Sequence, residues 1–173
     1  MRPWLPLLTL SLTFGCAPTE PPRAAPEASA AAPAPLPQIS LQGLDRKPIR
    51  LETLAAGKVA LVSFWATWCE ACVAELDALN RLDERARRSG AMVIGVAVGE
   101  TPEKAADFAR AHKLVYPQLV DEQLSLADAL GQRNVPTTLV LDRQGRVVWR
   151  GGALSEEALA AFRAAIGESL RPE

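Results

Sequence analysis

The feature that most narrows what this chain can become is a strand that turns into a helix at two cysteines: Val59-Ala-Leu-Val-Ser-Phe-Trp-Ala-Thr-Trp-Cys69-Glu-Ala-Cys72-Val-Ala-Glu-Leu76. Val59, Leu61, Val62, Phe64 and Trp65 form the continuous apolar run of a strand buried on both faces. Beyond the cysteines, Val73, Leu76, Leu79 and Leu82 repeat at a helical step. A helix start offers unpaired backbone N–H groups and the positive end of the dipole, both of which favour an anion. A thiolate at Cys69 would be that anion, with its pKa below the free value of about 8.5. Cys72, one turn on, should be more shielded and less acidic. Such a pair can cycle between dithiol and disulfide, Cys69 attacking and Cys72 resolving. By spacing alone it could also be a structural pair or half of a zinc site. Zinc needs four ligands, and only Cys16 and His112 remain to complete a cysteine–histidine set.

Charge excludes one class of partner. There are 19 basic and 20 acidic side chains, a net charge of −1, and no basic stripe, so nucleic acid is not an expected ligand. Three cysteines is an odd number, so one of them needs its own explanation.

That one is Cys16. Arg2 is a short positive start, and Trp4 to Phe14 is an apolar stretch too short to span a bilayer. Residues 1–15 read as an export signal. Thr13-Phe14-Gly15-Cys16 resembles a bacterial lipobox, which implies cleavage before Cys16 and lipidation of its sulfur; Thr13 departs from the leucine usual there. Residues 16–37, rich in alanine and proline, read as a tether. Their prolines favour extended polyproline II, at about 3.1 Å per residue, so some twenty residues reach roughly 60 Å.

The folded domain is expected over residues 38–173, beginning near Gln38. Ile39 to Leu41 and Pro48 to Leu51 form a small hairpin. Ala91 to Val98 is a second buried strand. A helix follows, with Thr101 as N-cap, Pro102 at its first position and His112 near its end. Gln118 to Val120 is a short strand, and Leu124 to Leu130 a short helix. Asn134-Val135-Pro136-Thr137-Thr138 leads into a strand, Asp142 to Gly145 turns the chain, and Arg146 to Arg150 pairs back. The last helix has Ser155 as N-cap and ends at Ile166-Gly167. This order gives an α/β fold, a mixed central sheet with helices on both faces.

The Phe-Trp-Ala-Thr-Trp-Cys69-Glu-Ala-Cys72 segment resembles the thioredoxin superfamily, and within it the TlpA/ResA-type extracytoplasmic thiol-disulfide oxidoreductases. The resemblance covers roughly residues 38 to 168. It implies a thioredoxin-like fold with a small N-terminal hairpin and a redox-active Cys69–Cys72 disulfide with no other cofactor and no metal. Trp68, Val135, Pro136 and Thr137 would be the substrate-contacting residues. Val135-Pro136 matches the superfamily's cis-proline loop, although proline at a strand start is ordinarily trans. Two departures bear on mechanism. Ser63 stands where thioredoxin has an aspartate in the central strand, and serine cannot accept a proton as a carboxylate does. Ala71 stands where this group often has proline.

The resemblance further implies a membrane-tethered enzyme on the periplasmic side of a bacterial envelope, working as a monomer. It would reduce disulfides of exported proteins, apocytochrome c among them, and be re-reduced by a membrane thiol donor. Glu100 follows the Ala91–Val98 strand and is read as the missing proton acceptor, with its pKa raised by burial and a nearby thiolate. Two other readings compete. A peroxiredoxin-like peroxidase wants a Thr-x-x-Cys loop, but Thr67 lies one place too close to Cys69. A Sco-like copper chaperone wants one more residue between the cysteines and a histidine in a later loop.

Overall fold

The computed structural model describes residues 33–167. The export signal, Cys16 and most of the tether lie outside them. In chain order the elements are β1 (Ala34–Pro35), β2 (Ser40–Gly43), β3 (Pro48–Arg50), α1 (Leu51–Leu54), β4 (Ala60–Trp65), α2 (Glu70–Arg88), β5 (Met92–Val98), α3 (Pro102–Ala111), β6 (Gln118–Asp121), α4 (Ser125–Ala129), β7 (Thr137–Leu141), β8 (Arg146–Gly151) and α5 (Glu156–Ile166). One mixed sheet runs β1-β8-β7-β4-β5-β6-β2-β3. The centre is β4, buried at every position. It pairs in parallel with β5, Ala60 opposite Met92 and Trp65 opposite Ala97, and antiparallel with β7, Ala60 opposite Leu141 and Phe64 opposite Thr137.

Alternation along the central strands builds two cores. Val62, Phe64, Ile94, Val96 and Leu139 face one layer with Ala105 of α3 and Leu126 of α4. Leu61, Val93 and Val140 face the other with Leu79 of α2 and Phe162 of α5. Both faces of the sheet are therefore covered, which is why β4 and β5 read as unbroken apolar runs rather than alternating ones. Asp83 is fully buried on α2; it accepts from Val93 N–H at 2.9 Å and from Arg87 Nε at 2.6 Å. The helix is thereby fastened to β5 beyond its apolar contacts.

The sheet begins earlier than the sequence suggests. Ala34 and Pro35 lie opposite Val147 and Arg146, and Leu36 is buried in the first core. The last residues assigned to the tether are thus part of the folded unit. Proline is tolerated there because β1 is the outermost strand, where a missing N–H breaks no inner ladder. The hairpin of β2 and β3 forms as expected and is joined to the main sheet through β6. Helix ends follow their capping residues: Thr101 Oγ1 accepts from Lys104 N–H, Ser155 Oγ accepts from Ala158 N–H, and Gly167 closes α5 with a positive φ. His112 caps α3 and packs against Phe108, ring centroids 4.2 Å apart.

Trp65, the last residue of β4, is almost wholly buried. Its Nε1 donates to Gln118 Oε1 at 2.9 Å, and its ring stacks on Phe108 at 4.7 Å. Gly95 makes room for this contact: a Cβ there would lie 2.0 Å from Gln118 Oε1 and 2.9 Å from Trp65 Nε1. Gly95→Ala should therefore cost about 1–3 kcal/mol by overpacking, read as a lower denaturant midpoint. Adding Gln118→Ala should recover part of that loss. An unchanged midpoint for Gly95→Ala would mean that the contact yields freely.

Candidate active site

The parallel ends of β4 and β5 and the start of antiparallel β7 meet at one edge of the sheet. The chain leaves β4 there through Ala66-Thr67-Trp68 and starts α2 at Cys69, the N-cap residue, with φ −90° and ψ 97°. Cys69 and Cys72 are joined in a disulfide, Cα atoms 5.2 Å apart. Cys69 Sγ accepts from Cys72 N–H at 3.1 Å, so the sulfur occupies the place a serine or aspartate cap would take. Cys69 is 6% exposed and Cys72 2%, the order expected for an attacking and a resolving cysteine. Trp68 is 70% exposed beside them.

Pro136 precedes β7, whose Thr137 lies opposite Phe64, so the Val135–Pro136 peptide comes to the same edge. That peptide is cis, as the family resemblance implied. Val135 packs against the first core, and Thr137 Oγ1 donates to Asn134 O at 2.7 Å. Ser63 is buried at mid-strand between Gly95 and Thr138.

Glu100 arrives at the edge as expected, but not in the expected state. Its side chain is 2% exposed. Oε1 accepts from both Thr67 N–H at 2.8 Å and Thr67 Oγ1 at 2.6 Å, and Oε2 pairs with Lys104 Nζ at 2.7 Å. Desolvation pushes its pKa up, but the Lys104 and Thr67 hydrogen bonds together outweigh it, and the carboxyl sits below the usual carboxylate range. The raised pKa expected from burial is thus corrected: three donors stabilise the charged form. Lys104, on α3, stands only four residues after Glu100, but the Thr67 donors reach the carboxylate only through the strand pairing, so its state could not be read from the sequence.

The carboxylate with the raised pKa is Glu75, which sequence reasoning passed over. It is half-buried on α2, three residues after Cys72, and residues at that spacing are neighbours on a helix. Oε1 accepts from Leu154 N–H at 2.6 Å, while Oε2 is buried with no partner. Burial pushes its pKa up, and the Leu154 N–H only partly offsets this. The available signal was position, an acid one turn beyond the resolving cysteine.

A depressed pKa means that the stability Glu100 contributes is present in full above the usual carboxylate range and is lost as pH falls through its folded value. Glu100→Gln should lose that acid-side dependence. It should also weaken the hold on Thr67, at a cost of about 2 kcal/mol for a charged acceptor at a buried site. Thr67→Val, which removes only the hydroxyl donor, should cost less. Chemical denaturation across the acid range checks both, and parallel pH profiles for parent and Glu100→Gln would contradict the assignment.

Comparison with known proteins gives a consistent picture. The model of the AhpC/TSA family matches residues 33–150. Thiol-disulfide oxidoreductase ResA of Geobacillus thermodenitrificans is 32% identical over 111 residues, covering 64% of this chain and 63% of that protein. The ResA of Halalkalibacterium halodurans is 28% identical over 134 residues, covering 77% and 73%. The chain therefore spans a little under two thirds of the length of the ResA from Geobacillus thermodenitrificans. Among solved structures, a secreted thiol-disulfide isomerase from Corynebacterium glutamicum superposes with a TM-score of 0.67 at 28% identity, over 77% of this chain and 86% of that one. A thiol:disulfide interchange protein of the thioredoxin family from Chlorobium tepidum gives 0.66 at 25% identity, over 80% and 100%. The fold is thioredoxin-like.

Proposed function

The chain belongs to the AhpC/TSA family, and from that premise we propose that it is a thiol-disulfide oxidoreductase that reduces disulfides in exported proteins. The observation that carries this is a disulfide whose first sulfur is itself the N-cap of α2. In the reduced protein the same N–H groups would stabilise a Cys69 thiolate. That thiolate attacks one sulfur of a substrate disulfide. The substrate S–S bond breaks, its other sulfur leaves as a thiolate, and a Cys69–substrate mixed disulfide forms. Cys72 then gives up its proton and attacks Cys69 Sγ. The second substrate thiolate leaves, and Cys69 and Cys72 are left oxidised while the substrate has gained two electrons.

Cys72 needs a proton acceptor, and Glu75 suits that role better than Glu100. Its charge is poorly solvated and one of its oxygens is unpartnered, so accepting a proton relieves it. Glu100 is held ionised by its own donors; its part is to position the Thr67 loop ahead of Cys69. Trp68 and the Val135-Pro136-Thr137 loop flank the disulfide and would bear on the substrate polypeptide.

The setting we propose is the periplasmic side of a bacterial envelope, with the protein held at a membrane through lipid on Cys16 and re-reduced by a membrane thiol donor. The lipobox-like Gly15-Cys16 and the proline-rich segment after it support this, as does the likeness to a secreted isomerase. Among the described residues no helix is long and apolar enough to cross a membrane. Apocytochrome c remains one substrate of the right kind. A peroxidase is less well supported, because the Thr67 hydroxyl is committed to Glu100. A copper chaperone is less well supported too, because His112 sits at the far end of α3 from Thr101 and packs on Phe108.

Trapping tests the reading. Cys72→Ala should stop at the mixed disulfide and hold substrates on Cys69, released by reductant and identified by mass. Glu75→Gln should slow the same resolving step without abolishing it. Turnover of peroxide at a rate matching or exceeding disulfide reduction, with nothing trapped on Cys69, would overturn it.

A further inference from the structure

Among the described residues the large hydrophobic side chains that stand exposed are Trp68, Val73, Val115 and Leu124. Trp68 precedes Cys69, and Val73 follows Cys72. Leu124 lies in the turn after β6. That strand pairs in parallel with β5, Val98 opposite Asp121, and β5 pairs in parallel with β4, so the turn emerges at the cysteine edge. Of the four, only Val115 lies towards the strands' other end, ahead of β6.

Leucine is an unexpected residue for this turn. The backbone of Leu124 is left-handed, φ 59° and ψ 19°, a conformation that disfavours a bulky side chain and that glycine or asparagine adopts more readily. The other non-glycine residues with positive φ among those described, Arg46 and Lys113, are charged. Here the side chain is apolar and 42% exposed. The bonds that hold the turn are made by backbone and by buried Asp121 rather than by this side chain. Asp121 O accepts from Leu124 N–H at 3.2 Å, and its Oδ2 accepts from Ala127 N–H at 2.8 Å. The same carbonyl accepts from Gly99 N–H at 3.0 Å, and a Cβ on Gly99 would lie 3.6 Å from Leu124 Cδ2. Gly99 leads into Glu100, which holds Thr67 by two hydrogen bonds. A run of hydrogen bonds thus fixes Leu124 relative to the loop that carries Trp68 and Cys69.

We propose that Leu124 is a docking point for an apolar side chain of the substrate polypeptide, on the β6 side of the cysteines. The occupant is an extended polypeptide because the exposed apolar side chains run on from the cysteine pair itself. The Val135–Pro136 loop stands on the β7 side of β4 and Leu124 on the β6 side, so one chain whose cysteine is held at Cys69 can meet both. This rests on the oxidoreductase reading of the pair and adds a preference to it. From β4 to β6 is two strand spacings, about 10 Å, and an extended chain advances about 3.3 Å per residue. The favoured apolar residue of the substrate therefore stands about three residues from its reacting cysteine.

The test uses the reduced full chain and serine-rich peptides whose single cysteine is carried as a mixed disulfide with nitrothiobenzoate. Cys69 attacks the peptide sulfur and the coloured aromatic thiolate leaves. Cys72 then gives up its proton and displaces the peptide as a thiol, leaving the protein oxidised. One leucine is moved along the peptide, a residue at a time, on either side of the cysteine. The second-order rate constant should peak on one side, about three residues out, at about tenfold above the all-serine peptide, the scale of withdrawing part of one leucine side chain from water. Leu124→Asn, which suits the left-handed backbone, should keep the parent's thermal midpoint and flatten the profile, while Leu124→Met should retain most of the peak. Leu124→Gly takes the place of the asparagine variant should that one not fold. A flat profile in the parent, with every peptide reduced, would overturn the docking point and leave the oxidoreductase reading standing; no release from any peptide would overturn both. A peak that survives Leu124→Asn would overturn it as well. So would sedimentation of the parent as a dimer and of Leu124→Asn as a monomer, which would assign this side chain to a second copy.

Discussion

The structure depends on β4 being held in register from both sides. Its parallel partner delivers Glu100 to the edge where the strand ends, and its antiparallel partner delivers Pro136 to the same edge. Between them the chain has only Ala66-Thr67-Trp68 in which to stop being a strand and start being a helix. A slip of one residue on β4 would exchange its two buried faces. With both faces packed and every position buried, that slip has no low-energy alternative. The position of Cys69 is therefore set by the sheet, and its chemistry by the helix that begins there.

Two carboxylates, Glu75 and Glu100, show how environment pushes the pKa values of like groups in opposite directions. Glu100 is the more deeply buried, yet it is the one kept ionised, because Thr67 and Lys104 supply donors. Glu75 is only half-buried but has a single N–H to oppose its desolvation. Burial alone is thus a poor guide to protonation; the count of donors decides.

Much of this was legible in the sequence. Unbroken apolar runs marked β4 and β5 as doubly covered strands, capping residues marked the starts of α3 and α5, and the cysteine spacing marked the redox pair. Three things were not legible, each for a physical reason. The bridge of Ala34 and Pro35 to β8 is a backbone contact between segments far apart in the chain, and it carries no side-chain pattern. The Thr67–Glu100 bond joins two loops whose meeting depends on the strand pairing. The state of Glu100 depended on donors from two different elements. Glu75, by contrast, was readable from its place on the helix, one turn beyond Cys72.

The central claim is that the start of α2 makes Cys69 the nucleophile and leaves Cys72 to resolve. Residue-resolved alkylation of the reduced protein as a function of pH tests it most directly. Cys69 should be modified first, with an apparent pKa below the free-thiol value of about 8.5, and Cys72 only later and at higher pH. Cys72 reacting first, or Cys69 titrating at or above the free-thiol value, would contradict the account.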